Sequence, residues 1–130
     1  MDLNFFKNNL TRYAGYYTPR ALFDKIKAVS RKAGVKLTYA ILVLYYATLD
    51  KRLPLKDRLM VLAALGYFIL PVDLIPDAMP IGFTDDMAAL TFVLKQVWGN
   101  LTPETKSKAR TRLNEWFGTV TDADTHIPGL

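Results

Sequence analysis

Residues 59–90 read LMVLAALGYFILPVDLIPDAMPIGFTDDMAAL, and the fold class turns on them. The first half, 59–72, is apolar around its whole circumference when wound as a helix. Residues 70–86 carry three prolines, four aspartates and no basic residue. Pro71 disfavours the α conformation of the residue before it, so the helix is expected to stop near Leu70. Thr84 or Asp85 is then placed to cap a new helix, with negative charge in its first turn. The stretch therefore reads as helix, proline-stopped corner, helix.

Working outward, helical spacing continues on both sides. "VKLTYAILVLYYATL" (35–49) is again apolar all round, and "KRLPLKDRL" joins it to the quoted stretch with Pro54 at the helix start. Upstream, Leu3, Phe6, Leu10, Tyr13 and Tyr17 form the stripe of a first amphipathic helix. "TPRALFDKIKAVSRKAG" (18–34) opens with Thr18 as N-cap and Pro19 at N1, and closes at Gly34. Downstream, "TDDMAALTFVLKQVWGN" ends at Gly99 or Asn100. "LTPETKSKARTRLNEWFG" repeats the Thr-Pro start, with a stripe of Ala109, Leu113, Trp116 and Phe117. There is no sustained alternation and no hairpin dipeptide.

The expectation is an all-α bundle of about five to six helices. A central apolar hairpin lies within it, and the Pro/Asp-rich corner joins helices 4 and 5. Residues 1–118 are expected to form one helical domain and 119–130 a loose tail.

Two all-round apolar helices in succession raise the question of a bilayer. Their apolar runs cover residues 37–49 and 59–72, each roughly 20 Å long, against a hydrocarbon core of about 30 Å. The connection also carries Lys51, Arg52, Lys56 and Arg58, opposite a basic N-terminal arm if the hairpin crossed. A compact bundle, in solution or lying on a membrane surface, is the expectation. Trp98, Trp116, Phe5, Phe6 and Tyr16 are either interface anchors or core.

Charge is divided along the 130 residues, which carry a net +5. Residues 1–36 hold Lys7, Arg12, Arg20, Lys25, Lys27, Arg31, Lys32 and Lys36 against Asp2 and Asp24, whereas residues 59–94 hold four aspartates and no cation. Basic flanks suit phosphate-bearing partners, meaning anionic lipid or nucleic acid. Nucleic acid is the lesser reading: Lys25, Lys27, Arg31, Lys32 and the Lys106–Arg112 group are scattered, with no recognition motif. The opening residues lack the apolar core of a signal peptide, so the cytoplasmic side of a membrane is the expected location.

Candidate chemistry is confined to Asp73, Asp77, Asp85 and Asp86. Converging carboxylates repel by roughly 4 kcal/mol per pair at 4 Å and an effective dielectric near 20. They would need Mg²⁺ or Ca²⁺, a proton or a basic partner. Their spacing is neither an EF-hand loop nor a diphosphate-binding DDxxD. The leading reading is that they cap helices and close turns around Pro71, Pro76, Pro80 and Gly82. A cation site is the second reading and acid–base catalysis the third. There is no cysteine, the one histidine is His126 in the tail, and no glycine-rich phosphate loop or nucleophile elbow is present. Gly15, Gly34 and Gly66 read as bends, caps or close packing.

Residues 62–90, from the apolar helix through Leu70-Pro71-Val72-Asp73-Leu74-Ile75-Pro76-Asp77 to Pro80, Gly82 and the Asp85-Asp86 pair, resemble the signature of the YkvA-like family, domain of unknown function 1232. The resemblance covers about residues 54–97. Thr84 departs from it, standing where an apolar residue is expected. The resemblance implies a helical, membrane-associated protein and brings no activity with it. The combined expectation is a non-enzymatic helical module at an anionic membrane surface or on a membrane-protein partner. The alternative is a small domain, or enzyme, dependent on a divalent cation held by the four aspartates.

Overall fold

The computed structural model describes residues 3–69, 83–118, 121, 122 and 125, with the side chains of residues 3–5, 29–33 and 83–89 outside the description. Six α-helices lie among these residues: α1 (Leu3–Asn8), α2 (Leu10–Ala14), α3 (Pro19–Thr48), α4 (Leu55–Ile69), α5 (Phe83–Val97) and α6 (Pro103–Phe117). A 3₁₀ turn, Trp98–Asn100, follows α5. The all-α expectation holds, and no strand occurs among the described residues.

The caps follow the sequence signals. Thr18 Oγ1 accepts from Ala21 N–H at 3.1 Å, and Thr102 Oγ1 accepts from Thr105 N–H at 3.1 Å. Each satisfies one of the donors a helix N-terminus leaves without a partner. Gly118 closes α6 at φ 77°, and its N–H donates to Asn114 O at 2.8 Å.

α3 consists of two helical arms that meet at a kink. Gly34 sits at φ 81°, ψ 177°, a conformation that L side chains rarely adopt. The rings of Phe23 and Tyr45, on opposite sides of Gly34, are 4.8 Å apart between centroids. An unbroken helix would hold them about 33 Å apart. The chain therefore folds back at Gly34, and the two arms, 19–33 and 35–48, lie against each other. The expected helix end at this glycine is a reversal.

The second arm and α4 supply most of the core. Leu37 to Leu44 and Ala47 are buried, as are Met60, Val61 and the run Ala63 to Phe68. Thr38, the polar residue in this layer, donates its hydroxyl to Gly34 O at 2.8 Å. Every buried side-chain nitrogen or oxygen among the described residues has a partner. All-round apolarity thus matches all-round burial, with α2, α5 and the first arm of α3 covering the pair.

Two boundaries differ from the sequence expectation. The first helix is broken at Asn9 (φ −128°, ψ 30°), a residue with low helix propensity. On either side of the break, Phe6 and Tyr13 both meet Tyr67, with ring centroids at 6.2 and 5.4 Å. α5 begins at Phe83, so Thr84 and Asp85 stand inside its first turn and not at its N-cap. An acidic residue there still meets the positive end of the helix dipole. Of the aromatic residues considered as interface anchors, Phe6 is core at 1% exposure. Tyr16, Trp98 and Trp116 are half-buried against the core.

Candidate functional site

Asp73 and Asp77, with Pro71, Pro76, Pro80 and Gly82, lie outside the described residues. Asp85 and Asp86 are placed by backbone in the first turn of α5, and their side chains lie outside the description. Among the described residues there is no group of three or more His, Asp or Glu that could hold a metal ion.

What the structure does place is the scaffold around that corner. α4 carries the chain toward it and α5 leads away, and the two helices pack together. The start of α4 is tied down twice. The Arg58 guanidinium donates through Nη2 to Asp50 O at 2.6 Å and through Nη1 to Thr48 O. It thereby satisfies two carbonyls at the C-terminal end of α3, where positive charge also meets the negative end of the dipole. Asp57 Oδ2 accepts from Asn100 Nδ2 at 2.6 Å, joining α4 to the turn after α5.

The turn between α3 and α4 has its own electrostatics. Asp50 Oδ1 accepts from the backbone N–H of Arg52 at 3.0 Å and from its Nε at 3.3 Å. The backbone hydrogen bond first, and then the guanidinium, hold the Asp50 carboxyl below its ordinary range. Beside it an open hollow of about 530 Å³ runs along α6, lined by Tyr46, Glu104, Ser107, Lys108, Thr111, Arg112 and Glu115. Arg112 Nε donates to Tyr46 Oη at 3.2 Å, and this bond raises the Arg112 pKa. Its guanidinium carbon lies 5.7 Å from the Phe23 ring centroid and 6.0 Å from that of Trp116.

Burial raises Tyr13, Tyr17 and Tyr39. Tyrosines and Arg112 move up and Asp50 moves down, so each resolved shift is away from neutrality. None of these groups is poised for proton transfer near pH 7.

The cations of the N-terminal third take a different course. Lys7, Arg12, Arg20, Lys27 and Lys36 are exposed, and none pairs with a carboxylate among the described residues. Lys7 Nζ lies 4.6 Å from the Phe92 ring centroid, and half-buried Lys25 places Nζ 5.8 Å from that of Phe68.

From Asp57 at the start of α4 to Phe92 in α5, the chain thus runs through one buried helix, the acidic corner and a second helix. Residues 57–92 match the family model described as Protein of unknown function (DUF1232). The DUF1232 stretch therefore starts at the two residues that fasten α4, Asp57 and Arg58, and contains all four candidate aspartates. No curated protein matches the chain, and no solved structure does.

Sequence reasoning missed the roles of Arg58 and Arg112. Arg58 was legible only as one charge in a basic connection. Its acceptors are main-chain carbonyls 8 and 10 residues upstream, which carry no residue signature. Arg112 meets Tyr46 across 66 positions. The one available signal is the general preference for cations near helix C-termini.

Proposed function

We propose that the protein is a non-enzymatic helical module that associates peripherally with an anionic membrane surface. The observation that carries this reading is the set of exposed cations on α1 to α3: Lys7, Arg12, Arg20, Lys27 and Lys36, without carboxylate partners among the described residues. Acidic side chains elsewhere are engaged. Asp50 pairs with Arg52, Glu104 with Lys108 and Asp122 with Arg110. Exposed cations without a carboxylate partner among the described residues are therefore most numerous on α1 to α3, although Asp24 is exposed among them and Lys51, Lys56 and Lys95 lie elsewhere. Each cation near a negative lipid surface contributes about 1 kcal/mol, so five give substantial binding without any helix entering the bilayer. No helix among the described residues is long and apolar enough to cross a membrane, which agrees with association from one side.

Sedimentation with phosphatidylcholine vesicles, with and without phosphatidylserine, tests the reading. Retention by the anionic vesicles at low salt and release at high salt is expected, because the screening length falls from about 10 Å at 0.1 M to about 3 Å at 1 M. Protein left wholly in the supernatant at low salt would overturn it.

A further inference from the structure

The cations of α1 to α3 do not complete the charged surface; the turn between α3 and α4 presents something they lack. Leu49 is 60% exposed and Leu55 is 83% exposed, and among the described residues these are the large apolar side chains left in water. Both flank one turn. Lys51, Arg52 and Lys56 are exposed around them. Leu53, between the two, is buried at 5% and anchors the turn to the core.

The turn is also held rigidly. Asp50 N–H donates to Ala47 O at 3.1 Å and Leu53 N–H to Asp50 O at 3.2 Å. Arg58 grips the carbonyls of Thr48 and Asp50 from α4. The nearby carboxylates are occupied, Asp50 by Arg52, Asp57 by Asn100, and Glu104, which lines the same hollow as the turn, by Lys108. That leaves Lys51 and Lys56 uncompensated. The Asp57–Asn100 bond brings the turn Trp98–Asn100 to the same end, where Lys106 Nζ lies 4.0 Å from the Trp98 ring centroid. Exposed leucines ringed by cations, with a tryptophan alongside, match the layered chemistry of an anionic bilayer: acyl chains below, phosphates above.

We propose that this turn is the membrane-contact point of the protein. Leu49 and Leu55 enter the boundary between headgroups and acyl chains, and Lys51, Arg52 and Lys56 meet the lipid phosphates. The proposal rests on the membrane reading above and specifies where contact is made. Because the turn is already ordered, little conformational freedom is lost on binding.

The chain has no cysteine, so one introduced thiol can carry an environment-sensitive fluorophore without competition. Leu55→Cys, labelled and mixed with phosphatidylcholine/phosphatidylserine vesicles, should shift its emission to the blue and be quenched by brominated acyl chains. Thr111→Cys, on the exposed side of α6, should do neither. Leu49→Ser combined with Leu55→Ser should weaken vesicle binding roughly tenfold or more. Lys51→Gln with Lys56→Gln should weaken it by a similar factor and reduce its salt dependence. These side chains are exposed, so the variants should keep the parent melting midpoint.

If the protein binds vesicles while the label at position 55 stays in water, or the double serine variant binds within twofold of the parent, this proposal is overturned and the membrane reading stands. If the protein binds no vesicles at low salt, both fall.

Discussion

Gly66 in α4 lies directly against the backbone of Tyr13 in α2. A Cβ at position 66 would overlap the Tyr13 carbonyl oxygen and stand 2.8 Å from its carbonyl carbon. The obstacle is main chain, which cannot rotate away as a side chain can. This approach seats α2 on the buried pair and brings Tyr13 and Tyr67 edge to face at 5.4 Å. Gly66→Ala is therefore expected to cost about 2–3 kcal/mol, at the upper part of the usual overpacking range. Urea unfolding of the two proteins measures it. A loss under about 0.5 kcal/mol would mean that α2 can move off α4 at almost no cost.

Gly34 makes the opposite case. Nothing lies within 4 Å of a Cβ built there, yet its φ is 81° with ψ at 177°. The penalty for Gly34→Ala is purely conformational, about 1–3 kcal/mol. Asparagine should not rescue it, because its tolerance of positive φ is for the left-handed helical region, where ψ is near +47°. Thermal melts of the two variants should show losses of similar size. Full rescue by asparagine would show that the reversal at position 34 can relax to a different geometry.

Arg58 is the fastening between α3 and α4. Arg58→Met keeps much of the stem but removes the donors to Thr48 O and Asp50 O. Hydrogen bonds to charged groups contribute about 1.5–3 kcal/mol each in net terms. Because Arg58 is part-exposed, a combined loss of about 2 kcal/mol is expected. Arg58→Lys should recover only part, since an ammonium cannot span two carbonyls as a planar fork does. Equal stability of the lysine variant and the parent would show that charge alone suffices.

The pH dependence of the turn follows from Asp50. Its folded pKa is depressed, first by the Arg52 backbone N–H and then by the guanidinium. A depressed carboxylate contributes stability above its unfolded pKa, near 3.9, and loses it as pH falls through the folded value. Carbon-detected NMR titration should place the Asp50 midpoint below the ordinary aspartate range. Arg52→Gly keeps the main-chain donor and should move the midpoint only part of the way back. A midpoint at the ordinary aspartate value in the parent would remove the turn hydrogen bonds from the account.

Divalent cations test the acidic corner. If Asp73, Asp77, Asp85 and Asp86 serve as caps and turn closures, Mg²⁺ or Ca²⁺ leaves the melting midpoint where it was. A bound ion would instead stabilise by about 2.7 kcal/mol at a hundred times its Kd. A clear rise with either ion, lost in Asp77→Asn, would establish the corner as a cation site.

Much of this architecture was legible in one dimension because it depends on local chemistry. Thr18-Pro19 and Thr102-Pro103 announced two helix starts. The continuous apolarity of residues 37–49 and 59–72 announced two helices central to the bundle or in contact with lipid. Gly34 announced an end, since few other residues tolerate positive φ. The corner motif was equally legible as a signature, but its function depends on where four carboxylates point, and spacing along a chain does not carry that.

Tertiary structure decided what depends on distance between remote residues. Whether the helix end at Gly34 was a bend or a full reversal required Phe23 to be seen against Tyr45. Gly66 could be read as close packing, but only the fold named Tyr13 as its neighbour. Arg58 became a helix cap when α4 returned beside α3. Leu49 and Leu55 looked like any other leucines until folding buried the apolar residues around them and left these two in water. Residue type and periodicity are properties of the chain. Proximity and exposure come into being only when the backbone reverses, and on those the electrostatics and the surface of this protein depend.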